Sequence, residues 1–181
     1  MNARRLRIDL FAFALGALAL LTLGFFSTRN GAAVVMCGLC FAGLLGARLA
    51  GFSNRALVPL AAGLVVILWW VWIDPPADPR QTSALAHGVG GALAGWALAE
   101  YLRSRLTWPL WALGALAGVF GLTVLWELGE YVGDRALTTG LIPSRRDSAI
   151  DIFFGTLGGV AAVGLAALLP RRAAARPPNV D

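Results

Sequence analysis

The chain has no lysine, a single histidine and only two cysteines, and charged residues make up just 14% of its 181 positions. Without lysine, arginine supplies the whole basic complement, 15 residues against 10 acids. Two cysteines set at C-x-x-C spacing are too few for a disulfide-stapled secreted scaffold. So low a charge content leaves too little polar material to coat a soluble domain, and no internal repeat or low-complexity tract is visible. What fills the chain instead is apolar: 58% of residues, with a mean hydropathy of +0.71. This is the composition of a polytopic membrane protein.

Six apolar stretches, near 8–26, 31–50, 56–73, 84–102, 109–131 and 149–169, each approach the ~20 residues a helix needs to cross the hydrocarbon. They predict an all-α membrane bundle of about six transmembrane helices. Short connectors make it one domain over 1–170, followed by a flexible tail over 171–181 that holds Pro177 and Pro178. The first stretch follows Arg4, Arg5 and Arg7 but is longer than a signal-peptide core and lacks a small-residue cleavage site, so it reads as a membrane helix.

The arginines set the orientation. With the N-terminus inside, ten fall on the inner side (Arg4, Arg5, Arg7, Arg48, Arg55, Arg103, Arg105, Arg171, Arg172, Arg176) and five outside (Arg29, Arg80, Arg135, Arg145, Arg146). The bias follows the positive-inside rule, so the net charge of +5 is a topology signal and no nucleic-acid partner is implied. Both termini are expected in the cytoplasm. Trp69, Trp70, Trp72 and Trp126 fall near outer helix ends, and Trp108 and Trp111 near an inner one, as interfacial belts require.

Acids at the edges of apolar segments are costly and tend to be functional. His87 is expected in the first turn of the fourth helix, Glu127 and Glu130 in the last turns of the fifth, and Asp147 and Asp151 at the start of the sixth. Antiparallel neighbours bring all three groups to one end of the bundle, the outer one. Glu127, Glu130 and Asp134 share a face if the fifth helix persists that far, and Asp147 and Asp151 share another. Below them, Gly91 and Gly95 continue the His87 face, and Gly155 and Gly159 the Asp151 face. Such small-residue stripes let membrane helices approach closely. Gly114 and Gly118 mark a further helix contact.

Plainer roles compete. Asp147 or Ser148 can be the N-cap of the sixth helix, with Asp151 completing a capping box. Glu127 and Glu130 oppose the helix macrodipole, and their plain reading is a salt bridge to Arg135, Arg145 or Arg146. Asp134 reads as a solvated loop residue, and Asp74 to Pro79 as a rigid outer loop over the site or a connector. Cys37 and Cys40 lie mid-membrane, where packing is expected over redox chemistry. Glu100 with Arg103 and Arg105 reads as an inner-face ion pair with snorkelling arginines.

One imidazole among carboxylates can hold a divalent metal, and His87, Glu127, Glu130, Asp147 and Asp151 are the candidate ligands. A bound ion can activate water against a lipid-linked substrate, with His87, Glu127, Glu130 and Asp151 as the catalytic set. The same groups can instead form a proton or small-solute pathway. As a third reading, the glycine stripes and tryptophans suit an accessory subunit of a larger membrane complex, or a homo-oligomer.

The run WELGEYVGDRALTTGLIPSRRDSAIDIFFGTLGG from Trp126 to Gly159, with AHGVGGALAGWALAE upstream of it, resembles the VanZ-like and YjdF-like membrane proteins. Those families carry a histidine early in one helix, an E-x-x-E/Q/W element ending another, and a D-x-x-x-D-like run after an arginine loop. His87, Glu127, Glu130, Arg146, Asp147 and Asp151 stand at the matching positions, over the last three helices. Glu130 replaces the usual VanZ glutamine and no asparagine precedes the last glycines, so the YjdF-like side is the closer. The resemblance implies a multi-pass protein of the bacterial inner membrane. Neither family has a settled biochemical activity, and the link of VanZ-like proteins to glycopeptide resistance points towards an envelope substrate.

Overall fold

The computed structural model describes residues 10–27, 30–73, 79–137 and 145–170. The basic cluster at Arg4 to Arg7, the loop of Asp74 to Asp78 and the tail over 171–181 lie outside the described residues. The protein is an all-helical bundle: α1 Leu10–Ser27, α2 Gly31–Leu49, α3 Asn54–Ile73, α4 Pro79–Arg103, α5 Leu110–Leu137 and α6 Arg145–Leu168. Four helices, α2, α3, α5 and α6, are long and apolar enough to cross a bilayer, and α1 holds a shorter apolar run, Ala14–Phe26. This is the build of a multi-pass membrane protein. By contrast α4, although 25 residues long, is not apolar enough to join that set. In the bundle α3, α5 and α6 all pack against it.

Local chemistry sets the helix ends. Asn30 caps α2, its side chain accepting from the Ala33 N–H at 3.1 Å. At the other end of α2, Gly51 takes φ +85, and the Phe52 and Gly51 N–H groups close onto the Ala47 and Arg48 carbonyls, a Schellman turn that sends the chain back as α3. Pro79 stands at the first position of α4, where its missing N–H costs nothing.

Two apolar cores divide the bundle. Phe11, Leu18, Met36, Cys37, Leu44 and Leu57 centre the one between α1, α2 and α3, and Trp111, Ala115, Val163 and Ala166 centre the other, shared by α4, α5 and α6. Both cysteines are buried in the first core, in keeping with a packing role. The most extensive helix pair is α4 with α6. There the glycine stripes meet as their spacing predicts: a Cβ on Gly91 would strike the Gly155 backbone, and one on Gly95 would come within 2.9 Å of Gly159 Cα. Gly114 and Gly118 face Leu102 and Leu98 of α4. At the arginine-rich end, Arg103 pairs with Glu100 at 3.6 Å, whereas Arg105 lies over the Tyr101 ring at 3.8 Å.

Several expected boundaries move. Five further residues precede the predicted start of α4, six follow the predicted end of α5, and four precede that of α6. His87 is therefore in the third turn of α4 and not its first, and Glu127 lies well inside α5. Asp134 is helical and half-buried. Asp147 falls inside the first turn of α6, so neither it nor Ser148 is the N-cap, and Asp151 completes no capping box. Of the tryptophans expected at interfaces, Trp108 is 60% exposed, but Trp111 is 3% exposed and belongs to the second core.

Candidate metal centre

The site sits where α4, α5 and α6 converge, immediately above the glycine crossing. On α5, Val119 and Thr123 lie against Gly159 and Gly155 of α6. Four and seven residues beyond Thr123 come Glu127 and Glu130, so the same helical stripe that packs on α6 carries both carboxylates towards His87. Close approach of α4 and α6 then sets Asp151 beside the imidazole. Glu127, Glu130 and Asp151 are 6%, 6% and 5% exposed.

Carboxylates flank both ring nitrogens. His87 Nε2 is 3.2 Å from Glu127 Oε1 and 3.9 Å from Glu130 Oε1, while Nδ1 is 3.4 Å from Asp151 Oδ1. Ligand atoms from His87, Glu127 and Asp151 all lie within 4.8 Å of one another. Two anchors hold the arrangement. Ser83, one turn before His87, donates its hydroxyl to Asp151 Oδ2 at 2.9 Å, and its carbonyl accepts from His87 Nδ1 at 2.9 Å. Trp126 donates Nε1–H to Glu130 Oε1 at 2.7 Å. That bond gives Trp126 a role at the site, where its sequence position suggested an interfacial belt.

Glu127 approaches the imidazole without a hydrogen bond. Neither of its oxygens, nor His87 Nε2, has a hydrogen-bond partner among the described residues, so the 3.2 Å approach lacks hydrogen-bond geometry. Nor does any arginine form an ion pair with these acids among the described residues; Arg135 is exposed and lies over the Tyr131 ring, and Arg146 is exposed. The salt-bridge reading of Glu127 and Glu130 thus finds no support from either, and the Arg145 side chain lies outside the described ones. Three buried carboxylates face one imidazole, which neutralises one charge at most. Each uncompensated buried charge costs several kcal/mol. Protons or a cation must balance them.

The chain matches no model of a known protein family, no curated protein and no solved structure. Function therefore has to be argued from the site.

Of the expected residues, His87, Glu127, Glu130 and Asp151 come together, and Asp147 lies one turn earlier on α6, outside the close trio. Ser83 went unseen in the sequence, where Trp126 reads as an interfacial residue. Each stands four residues before a site residue, Ser83 before His87 and Trp126 before Glu130, a spacing that places them on the same helical face.

Proposed function

We propose that the protein is a multi-pass inner-membrane protein whose buried His87/carboxylate centre binds a divalent metal and uses it to hydrolyse or transfer part of a lipid-linked envelope substrate. The observation that carries this is the Glu127 carboxylate, almost fully buried, with no hydrogen-bond partner among the described residues for either oxygen and with Oε1 3.2 Å from His87 Nε2, which has none either. A cation between them satisfies all three atoms at once. Mixed nitrogen and oxygen donors suit Zn, Mn or Fe, and a metal there lowers the pKa of bound water to make a nucleophile. The bias of arginines supports an orientation with both termini in the cytoplasm and the centre towards the outer face. The resemblance read in the sequence to VanZ-like and YjdF-like proteins supports the same residues, and its VanZ-like side supports an envelope setting.

Metal-dependent turnover tests the reading. Purified protein in detergent, given diphosphate-bearing polyprenyl lipids, is expected to release product only when metal-loaded, and Glu127→Gln is expected to be inert though folded. Turnover that survives chelation sinks the metal-dependent mechanism.

A second reading has its own observation, since His87 bridges Asp151 on one nitrogen and Glu127 with Glu130 on the other. An imidazole between carboxylates can relay protons. Acidification of liposomes under a gradient supports that reading, and their staying silent removes it.

A further inference from the structure

His87 Nδ1 lies 2.9 Å from the Ser83 carbonyl oxygen. A carbonyl only accepts, so Nδ1 carries hydrogen whether the ring is neutral or charged. The lone pair available to a metal is therefore on Nε2, the nitrogen without a hydrogen-bond partner. That side of the ring faces Glu127 and Glu130, and Asp151 is on the other, with Oδ2 already taking the Ser83 hydroxyl and Oδ1 at 3.4 Å from Nδ1.

We propose that the ion is held on the Nε2 side of His87 by Nε2, Glu127 and Glu130, and that Asp151 and Ser83 are positioning residues that fix the ring from behind. This rests on the reading of the site as a metal centre. The separation of Nε2 from Glu127 agrees with it. Two ligand atoms ~2.1 Å from one ion stand about 3.0 Å apart at a right angle and about 3.4 Å at the tetrahedral angle. Nε2 and Glu127 Oε1 are 3.2 Å apart. Glu130 Oε1, held by Trp126, stands 3.9 Å from Nε2, wider than either value, so Glu130 has to draw in to share the ion. A metal-bound histidine that donates its far N–H to a carboxylate or carbonyl is oriented and made more basic by that partner, and loss of such support costs typically ~10–100-fold in metal affinity. Here the Ser83 carbonyl takes the Nδ1 hydrogen at 2.9 Å, and Asp151, held by the Ser83 hydroxyl, sets its charge 3.4 Å from the same nitrogen.

Because the chain has one histidine, its ring nitrogens can be read without assignment between residues. Full-length protein labelled with ¹⁵N in the histidine ring, stripped of metal and loaded with ¹¹³Cd, is expected to show cadmium coupling at Nε2 with hydrogen retained on Nδ1. Coupling at Nδ1 overturns the assignment while leaving a metal centre in place. No bound cadmium overturns both. In the same titration, Asp151→Asn and Ser83→Ala are expected to keep one bound cadmium with affinity lowered about 10–100-fold, Ser83→Thr to restore it, and Glu127→Gln to bind none. Equal and complete loss in folded Asp151→Asn and Glu127→Gln would make Asp151 a ligand and refute its positioning role.

Discussion

Replacing Gly91 by alanine should damage the centre without touching it. The added Cβ would overlap the carbonyl carbon and oxygen of Gly155, backbone atoms that no rotamer change can move aside, so α4 and α6 have to part. Overpacking of this kind costs about 1–3 kcal/mol. His87 lies one turn before Gly91 and Asp151 one turn before Gly155, so separation of the helices acts directly on the 3.4 Å approach of Nδ1 to Asp151 and on the Ser83 bond at 2.9 Å. A looseness of about 1 Å is enough to spoil a preorganised site. Gly90→Ala is the matched control, since nothing lies within 4 Å of a Cβ built there. It should gain up to about 1 kcal/mol of helix propensity. Thermal unfolding in detergent, paired with a metal titration on each variant, reads both effects. Gly91→Ala is expected to melt lower and bind metal more weakly, and Gly90→Ala to melt at or slightly above the parent and bind metal as the parent does. If the two variants are indistinguishable, the glycine crossing does not position the site.

Other consequences follow from the same geometry. In metal-depleted protein, Glu127→Gln removes one of three buried carboxylates that share a single imidazole, so thermal melting should occur at or above the metal-depleted parent's temperature; a lower melting point contradicts the excess-charge argument. Trp126→Phe keeps the ring but deletes the 2.7 Å bond to Glu130, a loss of about 1.5–3 kcal/mol for a charged acceptor, visible as a lower melting temperature with helical content unchanged. Cys37 and Cys40, buried in the α1–α3 core, should resist maleimide in the folded protein and react only on unfolding. Labelling at native-state rates would refute their packing role.

The helical class and the gathering of the site were legible because they depend on periodicities that survive small errors. Hydropathy found six helices, and antiparallel succession was enough to bring His87, Glu127, Glu130 and Asp151 together. Glycine spacing was equally informative, since Gly91, Gly95, Gly155 and Gly159 lie on the helix faces that meet. Helix ends were less so. Apolarity marks where a segment suits lipid, whereas α5 and α6 continue past that limit through Asp134 and Arg145, and this shift removed the N-cap reading of Asp147. Trp126 misled because a tryptophan near the edge of an apolar run suits an interface as well as a hydrogen bond to a buried acid. The side of the ring on which each carboxylate falls has no sequence signal at all. It depends on the α4–α6 crossing and on which nitrogen meets the Ser83 carbonyl.

The central claim is that Glu127 and His87 face each other across a metal position. Elemental analysis of detergent-purified protein beside its Glu127→Gln variant, with folding checked in both, tests it most directly. The account predicts a stoichiometric divalent metal in the parent that is absent from the variant. Two well-folded proteins that are both free of metal, even after incubation with zinc and manganese, would contradict it.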